Sequence, residues 1–206
     1  MITDEPIRYP DNGRKFFHKN GHIDEVAWLD KPLQEFGSYA SSYQIGAIQL
    51  LDMSLREPRQ RDYLIYPTVF LIRHYIELRL KELIQGLNFC LEYTKDFPTG
   101  HNLQTLWSSF KKKYAEIGED INDPSFKSMD SLIAELQNID PISMSFRYPV
   151  DKTGNKTQKL ETININELKE TFMRVSYLFD AISAQLSAYV DLAGGLLGDM
   201  YDFYQE

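Results

Sequence analysis

The chain has 206 residues, of which 43% are hydrophobic and 25% charged, a balance that builds one packed core and excludes an intrinsically disordered chain. Its formal net charge of -8 repels a phosphate backbone, so any contact with a nucleotide or nucleic acid must run through a local basic patch. A lone cysteine, Cys90, set in the apolar run LNFCLEY, rules out an intramolecular disulfide and reads as a buried thiol, and the absence of a signal-like or membrane-length apolar run predicts a cytoplasmic protein with no membrane contact.

Residues 1–33 scatter Pro6, Pro10, Gly13, Gly21 and Pro32 among aromatics, the pattern of an irregular N-terminal arm packed on the body. Residues 34–206 read as a single domain. From about Leu33 the residues Tyr39, Tyr43, Ile45, Ala47, Ile48, Leu51 and Leu55 recur mostly at three- and four-residue steps, predicting a long helix that ends before Pro58. A second helix is predicted from about Tyr66, with Pro67 in its first turn, to about Tyr93. Its residues Val69, Ile72, Ile76, Leu80, Leu83 and Leu87 form one apolar stripe, and Leu71, Tyr75 and Leu78 form another nearly opposite. A helix apolar on two faces belongs in the middle of a bundle.

Between those faces stand Arg73, His74, Glu77 and Lys81, in a sector roughly 100° wide. Glu77 is four residues from both Arg73 and Lys81. As a solvated strip, each such pair would stabilise the helix by roughly 0.2–0.5 kcal/mol. As a partly buried strip facing other elements, the same residues would hold a phosphate or carboxylate. Both readings are open at this point.

Further along, Pro98 and Gly100 mark a loop, His101 or Asn102 can cap, and Leu103, Leu106, Trp107, Phe110 and Tyr114 outline a third helix with Lys111, Lys112 and Lys113 near its end. A fourth, shorter helix is bounded by Pro124 and Pro141. Alternation on both sides of DKTGNK predicts a small β-hairpin near 145–163. The last long helix starts at Asn164 or Asn166, with a break or kink at Gly194–Gly195. The fold class is all-α, an up-and-down helical bundle with one hairpin insertion.

Several chemistries lack their residues. The four histidines, His18, His22, His74 and His101, form no HExxH, and the Asn-Gly turn signal between His18 and His22 argues against a shared helix face, so no metal is assigned. No phosphate-cradling GxxxxGK[ST] loop, GxGxxG or GxSxG occurs, which disfavours loop-type NTPases, dinucleotide oxidoreductases and serine hydrolases. No cofactor is implied. The aromatics fall mostly at helical spacing and read as core.

The run YPTVFLIRHYIELRLKELIQGL, followed by FPTGHNLQTLW and SFRYPVD, resembles the HEPN family, the higher-eukaryote and prokaryote nucleotide-binding domains. Leu80, Lys81, Glu82 and Leu83 are similar to its leucine, lysine, apolar, leucine run, and Thr99, Gly100, His101, Asn102 and Leu103 to its threonine, histidine, aspartate, leucine helix start. Arg147, Tyr148 and Pro149 stand where some branches carry arginine, tyrosine, proline. The resemblance covers about residues 35–190. It implies a bundle of four or five helices, usually a homodimer, acting as a ribonuclease, a nucleotide-binding module or the partner of a nucleotidyltransferase in antiviral defence or toxin–antitoxin systems. The catalytic branch carries an arginine, a polar residue, then four to six residues and a histidine. Arg73–His74 opens that motif, but its closing positions hold Leu78, Arg79 and Leu80, and those after Arg174 hold Phe179, Asp180 and Ala181.

Metal-free RNA cleavage needs a base for the 2′-hydroxyl and a cation for the phosphorane. The catalytic candidates are therefore Arg73, His74 and His101, and the ligand-binding candidates Arg73, Glu77, Lys81, Arg147 and Tyr148. His101 reads first as a helix cap or loop anchor and only then as a catalytic group, and Arg147 as a structural ion pair with an acid such as Glu77 or as an anion clamp. The expected function is a nucleotide- or RNA-binding module of the HEPN kind in a defence or toxin–antitoxin setting. Metal-independent RNA cleavage and a purely structural interaction module are the alternatives.

Overall fold

The computed structural model describes residues 15–18, 21–29, 36–92 and 98–203, with side chains as far as Asp191. The chain divides into two units, 1–33 and 34–206. Most of the first lies outside the described residues; within it, Ile23–Glu25 form a single 3-10 turn, and His22 Nδ1 sits 3.2 Å from the Asp24 carboxylate.

The second unit is helical: α1 (Phe36–Arg56), α2 (Arg61–Cys90), α3 (Leu103–Glu116), α4 (Pro124–Ile139) and α5 (Ile165–Phe203). Three of its helix starts, those of α3, α4 and α5, obey the capping rules. Asn102 caps α3 by accepting from the Thr105 N–H at 2.9 Å, Asp123 caps α4 ahead of Pro124, and Asn164 accepts from the N–H groups of Asn166 and Glu167 to open α5. No described helix is long and apolar enough to cross a membrane.

The two apolar faces of α2 put it at the centre, where it packs against α1, α3 and α5. Ile72, Ile76, Leu80, Leu83 and Leu87 are buried from one stripe, and Tyr75 and Leu78 from the other. Tyr75 meets Phe172 of α5 edge-on at 5.3 Å between ring centroids. Trp107, Phe110 and Tyr114 of α3 stack with Phe126, which fastens α4 to α3.

Four expectations change. Helix α2 begins at Arg61 rather than Tyr66, so Pro67 lies in its second turn; the bond it cannot donate falls on the carbonyl of Tyr63, an exposed residue, where its loss costs less than in the core. The helix ends at Cys90, while the predicted end at Tyr93 lies outside the described residues; the Cys90 thiol is half-buried rather than buried. Helix α5 runs through Gly194 and Gly195 without a break, since the good helix formers Leu192, Ala193, Leu196 and Leu197 flank the pair. The hairpin reduces to a single antiparallel bridge, Val150 to Lys156, with no strand among the described residues. Its turn does form, built on Asp151, whose carboxylate accepts from the N–H groups of Thr153 and Asn155, and on Gly154 at φ +83°. A ladder does not follow, because Pro149 has no N–H and residues 145–147 are drawn into a tight turn instead.

Candidate functional site

That turn is made by Asp140, the residue that closes α4. Its Oδ1 accepts from the N–H groups of Met144 at 2.7 Å and Ser145 at 2.9 Å, and the N–H groups of Arg147 and Tyr148 then both reach the Met144 carbonyl at 3.0 Å. Ser143 takes φ +58° in the process, a left-handed conformation costly for a residue with a Cβ.

The charged sector of α2 faces this loop and the start of α3. Arg73 is completely buried. Its Nε donates to the Asp140 carbonyl at 3.2 Å and one terminal nitrogen donates to the His101 carbonyl at 3.1 Å. Its charge is balanced by Glu77 Oε2 at 3.6 Å from Nη1 and by Asp140 Oδ2 at 3.5 Å from Nε. Nη1 itself makes no hydrogen bond, so the Glu77 contact is ionic only. Burial lowers the proton affinity of the guanidinium, with Asp140 and Glu77 opposing the drop and Arg147 adding to it.

Glu77, 2% exposed, is the hub. Its Oε1 accepts from Lys81 Nζ at 2.9 Å and meets His101 Nδ1 at 2.8 Å. Burial pushes the carboxyl up, but hydrogen bonds from Lys81 and His101 and their charges overcome it and leave its pKa lowered. Lys81 is 8% exposed and lies 6.0 Å from the Phe36 ring centroid. His101 is the exposed member, its side chain 74% open, so one ring nitrogen is tied to the buried acid while the rest of the ring meets solvent.

The remaining candidates lie towards the surface. His74 is half-buried, edge-on to Tyr43 at 4.4 Å and stacked on Phe70 at 5.8 Å with the planes 10° apart. Burial lowers its pKa; Glu77 opposes this, while Lys81, Arg147 and Arg73 add to it, which favours the uncharged ring. The Arg147 guanidinium is exposed and rests over Phe70 at 5.3 Å and Tyr148 at 6.0 Å, with Nε donating to the Ser143 carbonyl. Beside it runs a groove of about 620 Å³, lined by Tyr66, Phe146, Arg147, Tyr148, Lys156 and Gln158 among others.

The predicted residues thus fall into two layers. Arg73, Glu77 and Lys81 form a buried ionic knot with His101 at its edge, while His74, Arg147 and Tyr148 lie over it, joined through Phe70. Arg147 pairs with no acid among the described residues; the cations around Glu77 are Arg73 and Lys81, with His101 beside them. Asp140, Phe70 and Tyr43 were missed by sequence reasoning. Asp140, directly before Pro141 at the foreseen end of α4, offered a local signal as a loop-organising acid, whereas Phe70 and Tyr43 are aromatics at helical spacing with nothing to distinguish them from core. Among the described residues, no group of three or more His, Cys, Asp or Glu is placed to hold a metal ion.

Comparison of the chain with family models, with curated proteins and with solved structures finds no match in any of the three.

Proposed function

We propose that this protein is an HEPN-like module that binds the phosphate of a nucleotide or of RNA on the surface formed by His74, Phe70, Arg147 and Tyr148, with Lys156 extending the positive edge. The reading is carried by one observation, an imidazole and an exposed guanidinium set on the same aromatic ring. A guanidinium grips phosphate bidentately, a neutral imidazole accepts a proton or donates a hydrogen bond, and the rings of Tyr148 and Tyr66 offer faces for a base. Arg73, Glu77 and Lys81 act here as positioning residues that hold the two loops carrying His101 and Arg147. A homodimer, and a nucleotidyltransferase or other defence-system partner, remain part of the proposal through the resemblance alone.

The second reading is metal-independent RNA cleavage at the same place. It is favoured by the lowered proton affinity of His74, which keeps the base form available at neutral pH beside the Arg147 charge.

The deciding experiment is fluorescence anisotropy with a labelled RNA oligonucleotide in EDTA, with gel analysis for cleavage. Arg147→Ala and His74→Ala should each lower affinity about ten-fold or more while leaving the melting temperature within a few degrees. Unchanged affinity in both variants, or no binding by the parent chain, would reject the assignment. Cleavage lost in His74→Ala with binding retained would select the second reading.

A further inference from the structure

A separate opening lies between the first half of α2, helix α4 and helix α5, with the 160–163 loop closing one side. Its volume is about 160 Å³, and its walls are apolar, led by Ile72, Ile76, Leu136, Ile139, Phe172 and Val175. Only two polar side chains line it, those of Glu135 and Thr171, and Glu135 is exposed, so its charge stands at the rim. The opening exists because α4 is fastened chiefly to α3 and is not drawn down onto α5.

Water gains little in such a place. A buried water needs two to four polar partners, and these walls supply one hydroxyl and one rim carboxylate. An enclosed cavity of about 150 Å³ with aliphatic and aromatic walls stays dry and takes up benzene; this cleft has similar walls and volume and is open to solvent on one side. The volume here matches that size, the walls are almost wholly apolar, and the one charged residue that lines the cleft, Glu135, is negative and repels an anion. We propose that this cleft is a binding site for a compact, neutral, apolar molecule of benzene-to-indole size. It is distinct from the His74–Arg147 surface and does not depend on the function proposed there.

The test is a methyl NMR titration of the full chain with toluene, indole and benzoate, alongside thermal unfolding. Toluene and indole should shift the methyl resonances of Ile72, Ile76, Leu136 and Val175 saturably and raise the melting temperature, whereas benzoate should bind at least ten-fold more weakly. Leu136→Trp, which fills the cleft with its own side chain, should abolish the shifts at the remaining methyls. Glu135→Gln should bring benzoate closer to toluene, and this arm stands even if Leu136→Trp fails to fold. Absence of saturable shifts up to the solubility limit of toluene, or equal affinity for benzoate and toluene in the parent chain, would overturn the proposal. So would shifts that persist in a folded Leu136→Trp protein.

Discussion

Arg73 shows how burial changes what a charged side chain can do. With no exposed surface, two carbonyls accepting from it and two carboxylates around it, its guanidinium joins three segments of the chain. Removing it leaves Glu77 and Asp140 buried with a partner missing, so Arg73→Met should cost about 3–5 kcal/mol, measured by urea unfolding. A cost under about 1 kcal/mol would mean that the knot is not structural. His74 makes a separate pH-dependent contribution. Its folded pKa lies below the ordinary 6.5, so the unfolded chain binds its proton first, and stability is lost as pH falls from 6.5 towards the lowered value. His74→Phe should flatten that part of the stability profile. Glu77, lowered from 4.5, should produce a second loss only below that pH, and Glu77→Gln should remove it.

Between elements, α1 leaves no room for a side chain at Gly37, where it faces Glu82 of α2. A Cβ there would lie 2.6 Å from Glu82 Oε1, and that carboxylate is not free to swing away. Arg79 holds Oε2 at 2.8 Å, Ser183 of α5 donates to Oε1 at 3.1 Å, and Arg79 also reaches Asp180 at 2.6 Å, so α2 and α5 are tied at the point that Gly37 of α1 faces. Gly37→Ala should therefore destabilise by about 1–3 kcal/mol through crowding. In a Glu82→Ala background the same change should turn favourable by about 0.5–1 kcal/mol, since alanine is the better helix residue. A double-mutant cycle in urea measures the difference, and additive effects would show that the close approach carries no energy. The helices themselves were legible from apolar periodicity and caps: α1, α3, α4 and the start of α5 fall where those signals put them. The start of α2 was not, because Pro67 is a strong local signal whose cost vanishes at an exposed turn.

Across the molecule, the net charge of -8 confines any polyanion to a local basic patch. If phosphate binds at His74 and Arg147, affinity for single-stranded RNA should rise with length only to roughly four nucleotides and then level off, because longer chains meet an acidic body. Anisotropy across a length series reads this directly. A continued rise with length would place the contact surface elsewhere or extend it across a partner copy.

The order of helices, their caps and the central place of α2 were written in residue spacing, since each depends on neighbours three or four positions away. The sector holding Arg73, His74, Glu77 and Lys81 was equally visible, but not whether water or protein covers it. Arg73 and Glu77 meet at the same spacing in either case. Only the tertiary structure decides, because the groups that cover Arg73 arrive from His101 and from Asp140, 28 and 67 residues along the chain. Burial is a property of those distant arrivals. It turned one charged strip into an enclosed knot beneath and an open aromatic–cationic surface above.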